Sequence, residues 1–194
     1  MTHASAPDIL TQLRATTAAA HRQLEDQINI PEVCATQESY VRLLEGFLGL
    51  FEPLEEALKK IPGWEEKGFR WSERSKAPML HEDLRVLGRS EADLAGLPRC
   101  TDLPQPSSLA EAFGCAYVLE GSTLGGRQIM GILEKSAIPK EARHYFSSYG
   151  ENVPARWREF CAMLPSFTST DADSMATMAV KTFDKFGAWF YHRR

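Results

Sequence analysis

Few side chains in this chain have both the type and the spacing to do chemistry. His21 stands on the apolar stripe of the first helical stretch, where a neutral imidazole either satisfies itself in a core or binds a metal. His144 belongs to Glu141-Ala-Arg-His144, the Glu-x-x-His spacing of di-iron helical bundles, but the second copy such a site needs is missing from the sequence. His81, between Leu80 and Glu82, reads as a surface residue, and His3 and His192 sit near the two ends, where solvation is the expectation. Cys34, Cys100, Cys115 and Cys161 are scattered without a C-x-x-C pair, so they read as reduced thiols rather than a metal site or a disulfide framework.

The second unusual feature is a run of glycines. Ser108 to Lys135 reads as one helix, with Ser108 and Glu111 at capping-box spacing and Leu109, Ala112, Phe113, Ala116 and Tyr117 at helical intervals. Gly114, Gly121, Gly125, Gly126 and Gly131 all fall inside it. At roughly 0.8–1 kcal/mol each relative to alanine, they are a liability of about 4–5 kcal/mol. A C-cap requires only one glycine, and Arg127-Gln-Ile-Met-Gly-Ile-Leu resumes the apolar pattern at once. Two readings stay open. Gly121 and Gly125, four apart, could admit a neighbouring helix at close range. Alternatively a large flat ligand lies against bare backbone, its depth set by a kink at Gly125-Gly126.

An imidazole on one helix and a glycine-rich helix elsewhere are the two sides of a sandwich that could hold a planar metal macrocycle. His21 would bind the metal from one face, and the glycines would let backbone approach the other. Acidic groups on such a ligand would need cations at the pocket mouth. Arg14 lies seven residues before His21 on the same side of its helix, and Lys181 and Lys185 are four apart on one face of the last helix.

These residues must be positioned by helices. Leu10, Leu13, Thr17, His21, Leu24 and Ile28 define a stripe on a helix from Asp8 to about Ile28, ended by Pro31. A second helix runs from Thr36 to about Lys60, with Tyr40, Leu43, Leu44, Phe47, Phe51, Leu54 and Leu58 inward and a bend at Pro53. Ile61 to Gly68 is a loop, Ser72 to Leu87 a third helix, and Leu94 to Pro106 an irregular connection. Beyond the glycine-bearing helix, Pro139 opens a helix reaching Ser148, Pro154 to Leu164 forms another, and a last one starts at an Asp171 cap and runs near Tyr191. No period-two strand pattern and no repeat occurs. The expected fold is all-α, one domain over residues 1–194 with 1–7 frayed.

Composition agrees with this. A chain of 194 residues with 43% hydrophobic and 25% charged residues can bury a core as a single unit. A net charge of −4 argues against a nucleic-acid partner. No leader-like start and no membrane-length apolar run is present, so the expectation is a soluble cytoplasmic protein without a membrane partner.

Three segments carry a family resemblance. Leu13-Arg-Ala-Thr-Thr-Ala-Ala-Ala-His21-Arg-Gln-Leu-Glu25 resembles the N-terminal helix of haem oxygenases, and Tyr117-Val-Leu-Glu-Gly-Ser-Thr-Leu-Gly-Gly126 resembles their distal helix. Phe146-Ser-Ser-Tyr-Gly-Glu-Asn-Val-Pro-Ala-Arg-Trp-Arg-Glu-Phe160 is similar to a segment of the bacterial branch found with bacteriophytochromes. The resemblance spans most of the chain. It implies a helical bundle clasping haem (heme), with a glycine-kinked distal helix. His21 is then the axial iron ligand, Gly121, Gly125 and Gly126 are the distal glycines, and Arg14 lies near a propionate, with Lys181 and Lys185 as further propionate partners. The implied activity opens haem with dioxygen and electrons from a ferredoxin or other reductase, giving biliverdin, ferrous iron and carbon monoxide. A bacteriophytochrome is the implied product acceptor.

The chain departs from the animal enzymes at Ser122, where they carry an aspartate that organises water near dioxygen. Some bacterial relatives look serine-like here, and the Ser122 hydroxyl could supply the hydrogen bonds in its place. Two other readings remain: a haem-binding carrier or sensor without turnover, and a helical interaction module whose glycines serve packing only.

Overall fold

The computed structural model describes residues 8–191. Residues 1–7, expected to fray, lie outside the described residues, as do His3 and His192. Among the described residues every regular element is helical and none is a strand, as the hydrophobic periodicity requires.

Helix α1 (Ile9–Gln27) is capped by Asp8, whose carboxylate accepts the Leu10 N–H. Pro31 sits in the first turn of the short α2 (Ile30–Val33), and α3 (Gln37–Lys59) starts at the Thr36 cap and carries Pro53 inside it. The single helix expected from Ser72 to Leu87 is two, α4 (Trp71–Arg74) and α5 (Ala77–Val86). Pro78 lies in the first turn of α5, the one helical position where its missing N–H costs nothing. A capping box of Ser90 and Asp93 builds α6 (Glu91–Gly96), which has no counterpart in the sequence reading.

The glycine-bearing stretch is broken as well. It forms α7 (Leu109–Gly121), a 3-10 segment over Ser122–Gly125, and α8 (Gly126–Leu133). The helix expected over 140–148 is a 3-10 turn (Lys140–Ala142) followed by α9 (His144–Ser147). Helices α10 (Val153–Met163) and α11 (Ser169–Tyr191) complete the chain. The cap of α11 is Thr168 rather than Asp171: the Thr168 hydroxyl accepts the Asp171 N–H, and the Asp171 carboxylate accepts the Thr168 N–H in return.

Helix α7 is the centre of the bundle. Ala110, Ala112 to Leu119 and Glu120 are all buried, which fits a helix apolar on every side. It packs along α11, which in turn packs along α1. Gly114 makes the first contact possible, since a Cβ there would stand 2.2 Å from the Met175 carbonyl oxygen.

The C-terminal end of α7 is held by buried charges. Glu120 receives Arg74 Nη1 at 2.5 Å, Lys76 Nζ at 2.7 Å and the Tyr149 hydroxyl at 2.8 Å. Removing one partner from such a cluster strands a buried charge, at about 3–5 kcal/mol. The ions therefore fix where Gly121, the next residue, must lie.

Candidate functional site

A cavity of about 920 Å³ opens between α1, α3, α7, the 3-10 segment, α9 and α11. Its size suits a ligand of several rings. Phe47 and Phe51 from α3, Phe146 from α9 and Phe183 and Phe186 from α11 make most of the wall apolar. Glu25 and Asp26 are the acidic residues of the lining, and among the described residues no lysine or arginine lines it.

His21 enters from α1. Leu13 and Thr17, earlier on its stripe, are buried, yet the His21 side chain is 49% exposed, because the stripe runs out of the core and into the cavity at this turn. Its Nδ1 lies 3.4 Å from Oε2 of Glu25, one turn further along α1. With Nδ1–H directed at the carboxylate, the Nε2 lone pair is left for a metal. The Phe183 ring stands edge-on to the imidazole, centroids 5.4 Å apart, and limits its tilt.

The glycines divide into two kinds. Gly126 is buried, its added Cβ would lie 2.4 Å from the Phe146 carbonyl oxygen, and it does not line the cavity. Gly126 thus joins Gly114 as a packing glycine, which corrects its expected place on the distal face. Gly121 and Gly125 do line the cavity: a Cβ on Gly125 would meet nothing within 4 Å, and one on Gly121 only the Trp157 ring at 3.9 Å. Both readings of the glycine run apply, each to different members.

Ser122 lines the same wall, its hydroxyl donating to the Leu119 carbonyl at 2.8 Å. Tyr145 lines the same cavity, and burial pushes its phenol pKa well above its ordinary value. Asp83, fully buried on α5, accepts the backbone N–H groups of His144 and Tyr145, each at 2.8 Å, and so fixes the start of α9. His144 Nδ1 also meets Asp83 at 2.8 Å, which explains a histidine that the Glu-x-x-His spacing does not. His81, expected on the surface, is partly buried against Glu52 at 2.6 Å.

The cations lie elsewhere. Lys181 and Lys185 are each two residues from Phe183, about 200° round the helix, so they point away from the cavity. Lys185 pairs with Asp102, and Lys181 bears on Glu111. Four-residue spacing puts two side chains on one face without saying which face. Arg14 is exposed and beside Cys161 of α10, outside the cavity lining. The structure therefore brings His21, Gly121, Ser122 and Gly125 to one space, and leaves Gly126, Arg14, Lys181 and Lys185 out of its lining.

Two residues of the site had no role in the sequence reading. Glu25 was within reach of it, since a carboxylate four residues after His21 is one turn away. Tyr145 was not, because its place depends on Asp83, more than sixty residues earlier.

The chain is similar to known proteins over nearly its whole length. A sequence model of the family described as Heme oxygenase matches residues 7–192. A heme oxygenase of Xanthomonas campestris pv. campestris (strain 8004) is 44% identical over 98 residues, 50% of this chain and 54% of that protein, so the match spans about half the relative's length. The structure of heme oxygenase from Leptospira interrogans has a TM-score of 0.74 at 17% identity, over 95% of this chain and 99% of that one. Heme oxygenase-1 from the cyanobacterium Synechocystis sp. PCC6803, crystallised in complex with heme, gives 0.74 at 15%, over 95% and 91%. At these identities the two structures share the fold.

Proposed function

The chain belongs to the haem oxygenase family, and from that premise we propose that it opens haem with dioxygen and external electrons, releasing biliverdin, ferrous iron and carbon monoxide. The observation that carries this reading is the pairing, across one apolar cavity, of an imidazole steadied by a carboxylate with a wall that lacks Cβ atoms. A planar macrocycle needs both: a nitrogen lone pair on one face and backbone close enough to pack on the other. Haem, when bound, supplies the iron that activates dioxygen and the ring that is opened.

The chain's own residues do the rest. His21 would hold the haem iron, its imidazole oriented by Glu25 and Phe183. Gly121 and Gly125 leave the opposite face uncrowded, and Ser122 supplies a hydroxyl where the animal enzymes carry an aspartate. The phenylalanines exclude bulk water. Arg14 is the proposed partner of a propionate, since seven residues return it to the His21 side of α1 about 10 Å away. An electron donor such as a ferredoxin and, from the resemblance of residues 146–160, a bacteriophytochrome as product acceptor complete the proposal.

The test is reconstitution with hemin, followed by ferredoxin and its reductase, or ascorbate, in air. The Soret band should fade as a biliverdin band grows, and His21→Ala should lower that rate about 100-fold or more, nearly 3 kcal/mol of barrier. A Soret spectrum that His21→Ala leaves untouched would remove the assignment. Ser122, with its proton on the Leu119 carbonyl, favours the second reading of a carrier or sensor, for which the Soret band forms and then persists in the presence of reductant.

A further inference from the structure

Gly131 is the glycine of the central stretch that neither packs against a neighbouring element nor lines the cavity of His21. It sits inside α8, where glycine weakens the helix, and a Cβ on it would meet nothing within 4 Å. The open space beside it is a second chamber of about 510 Å³ between α8 and α2, an ordinary size for a small-molecule site. Gln128 and Ile132 stand with Gly131 in its lining, Lys135 follows in the turn that ends α8, and Pro31 and Cys34 form the other side. Pro31, Gln128 and Ile132 also line the cavity of His21, so the two spaces adjoin through shared walls.

Charge separates them. The first has Glu25 and Asp26 in its lining, whereas the second has Lys135 and, among the described residues, no carboxylate. Lys135 is exposed, and among the described residues its ammonium has no hydrogen-bond or ion-pair partner. An acid placed between the two spaces is therefore pushed from one and drawn to the other. Bare backbone beside a lysine suits a flat conjugated acid, which needs a face without Cβ atoms to lie on and a cation for its carboxylate.

We propose that this chamber receives the opened tetrapyrrole as it leaves the haem cavity, with a pyrrole ring against Gly131 and a carboxylate at Lys135. The inference rests on the haem-opening reading above, and the chemistry of the product supports it. Ring closure and the His21 bond keep haem flat in the first cavity. Biliverdin has lost both the iron and the closed ring, so its pyrroles turn about the bridges between them, while its carboxylates remain. A ring that turns past Gln128 and Ile132 meets Gly131 next, with Lys135 one turn further on.

The test is a titration of the haem-free protein with biliverdin, set against a hemin titration of the same variants at the Soret band. Lys135→Ala and Gly131→Leu both keep the fold, since the lysine is exposed and the glycine faces open space. Lys135→Ala should weaken biliverdin binding about 3- to 10-fold at low salt, less at high salt, and Lys135→Arg should restore it. Biliverdin dimethyl ester, which has no free carboxylate, should bind the wild-type protein and Lys135→Ala alike. Gly131→Leu fills the chamber and should weaken both ligands about tenfold. Hemin affinity should stay within about twofold in every variant. Biliverdin affinity unchanged in both Lys135→Ala and Gly131→Leu overturns the proposal. So does an equal loss of hemin affinity, which would put a carboxylate of haem itself at Lys135. A wild-type protein that binds hemin without turnover overturns the haem-opening reading instead, and the biliverdin titrations still decide whether the chamber holds a tetrapyrrole acid.

Discussion

Thr17 and His21 are one turn apart on the same stripe of α1, but only Thr17 is buried. The Thr17 hydroxyl satisfies itself on the Leu13 carbonyl at 2.8 Å, whereas His21 has only the Glu25 carboxylate within its own helix. A histidine placed this way is poorly served as a core residue and well served as a ligand. Glu25→Gln should keep the fold and weaken hemin binding about 10- to 100-fold, the range for losing the partner of a metal-bound histidine. Hemin titration followed at the Soret band measures it, and an unchanged affinity would separate Glu25 from the site.

At the scale of elements, the 3-10 segment between α7 and α8 decides which glycines do what. Gly126→Ala drives a Cβ into the Phe146 carbonyl and should cost about 1–3 kcal/mol in urea unfolding, Gly114→Ala at least as much against Met175. Gly125 has helical φ −73° and open space, so Gly125→Ala should be neutral or stabilise by up to about 1 kcal/mol. Its new methyl group would stand at the cavity face and weaken hemin binding. Equal loss of stability in all three variants would contradict the division.

The caps of α7 and α11 give a pH dependence. Hydrogen bonds from the Ser107 N–H and hydroxyl lower the Glu111 pKa, and those from the Thr168 N–H and hydroxyl lower that of Asp171. A carboxylate with a lowered folded pKa stabilises above its unfolded value, 4.5 for Glu111 and 3.8 for Asp171, and loses that contribution as pH falls through the folded one. Melting temperature should therefore drop below about pH 4.5, and drop less in the Glu111→Gln/Asp171→Asn double variant. Parallel curves for the two proteins would show that other carboxylates govern acid unfolding.

For the whole molecule, the cavity is a gap in the bundle that folding leaves open between α1 and α7. A ligand that fills it stabilises only the folded chain, by about 2.7 kcal/mol at a hundredfold excess over Kd. At roughly 2–4 °C per kcal/mol for a domain of this size, hemin should raise the melting temperature by about 5–10 °C. Scanning calorimetry with and without hemin tests this, and no rise at saturation would show that the cavity is not where hemin binds. No helix among the described residues is long and apolar enough to cross a membrane.

The all-α class, the ends of α1, α3 and α10 to within a residue or so, and the stripe carrying His21 were legible in the sequence, because each depends on contacts within a few residues: apolar period, caps and proline. The glycine run could be seen but not resolved, since whether a Cβ meets Phe146 or empty space depends on a segment twenty residues further on. Where Lys181 and Lys185 lie was out of reach for the same reason, as spacing fixes a shared face and only the tertiary fold sets that face beside Glu111 and Asp102. Tyr145 and Asp83 needed the fold entirely. A hydrogen bond across 62 residues leaves no periodic trace in the chain.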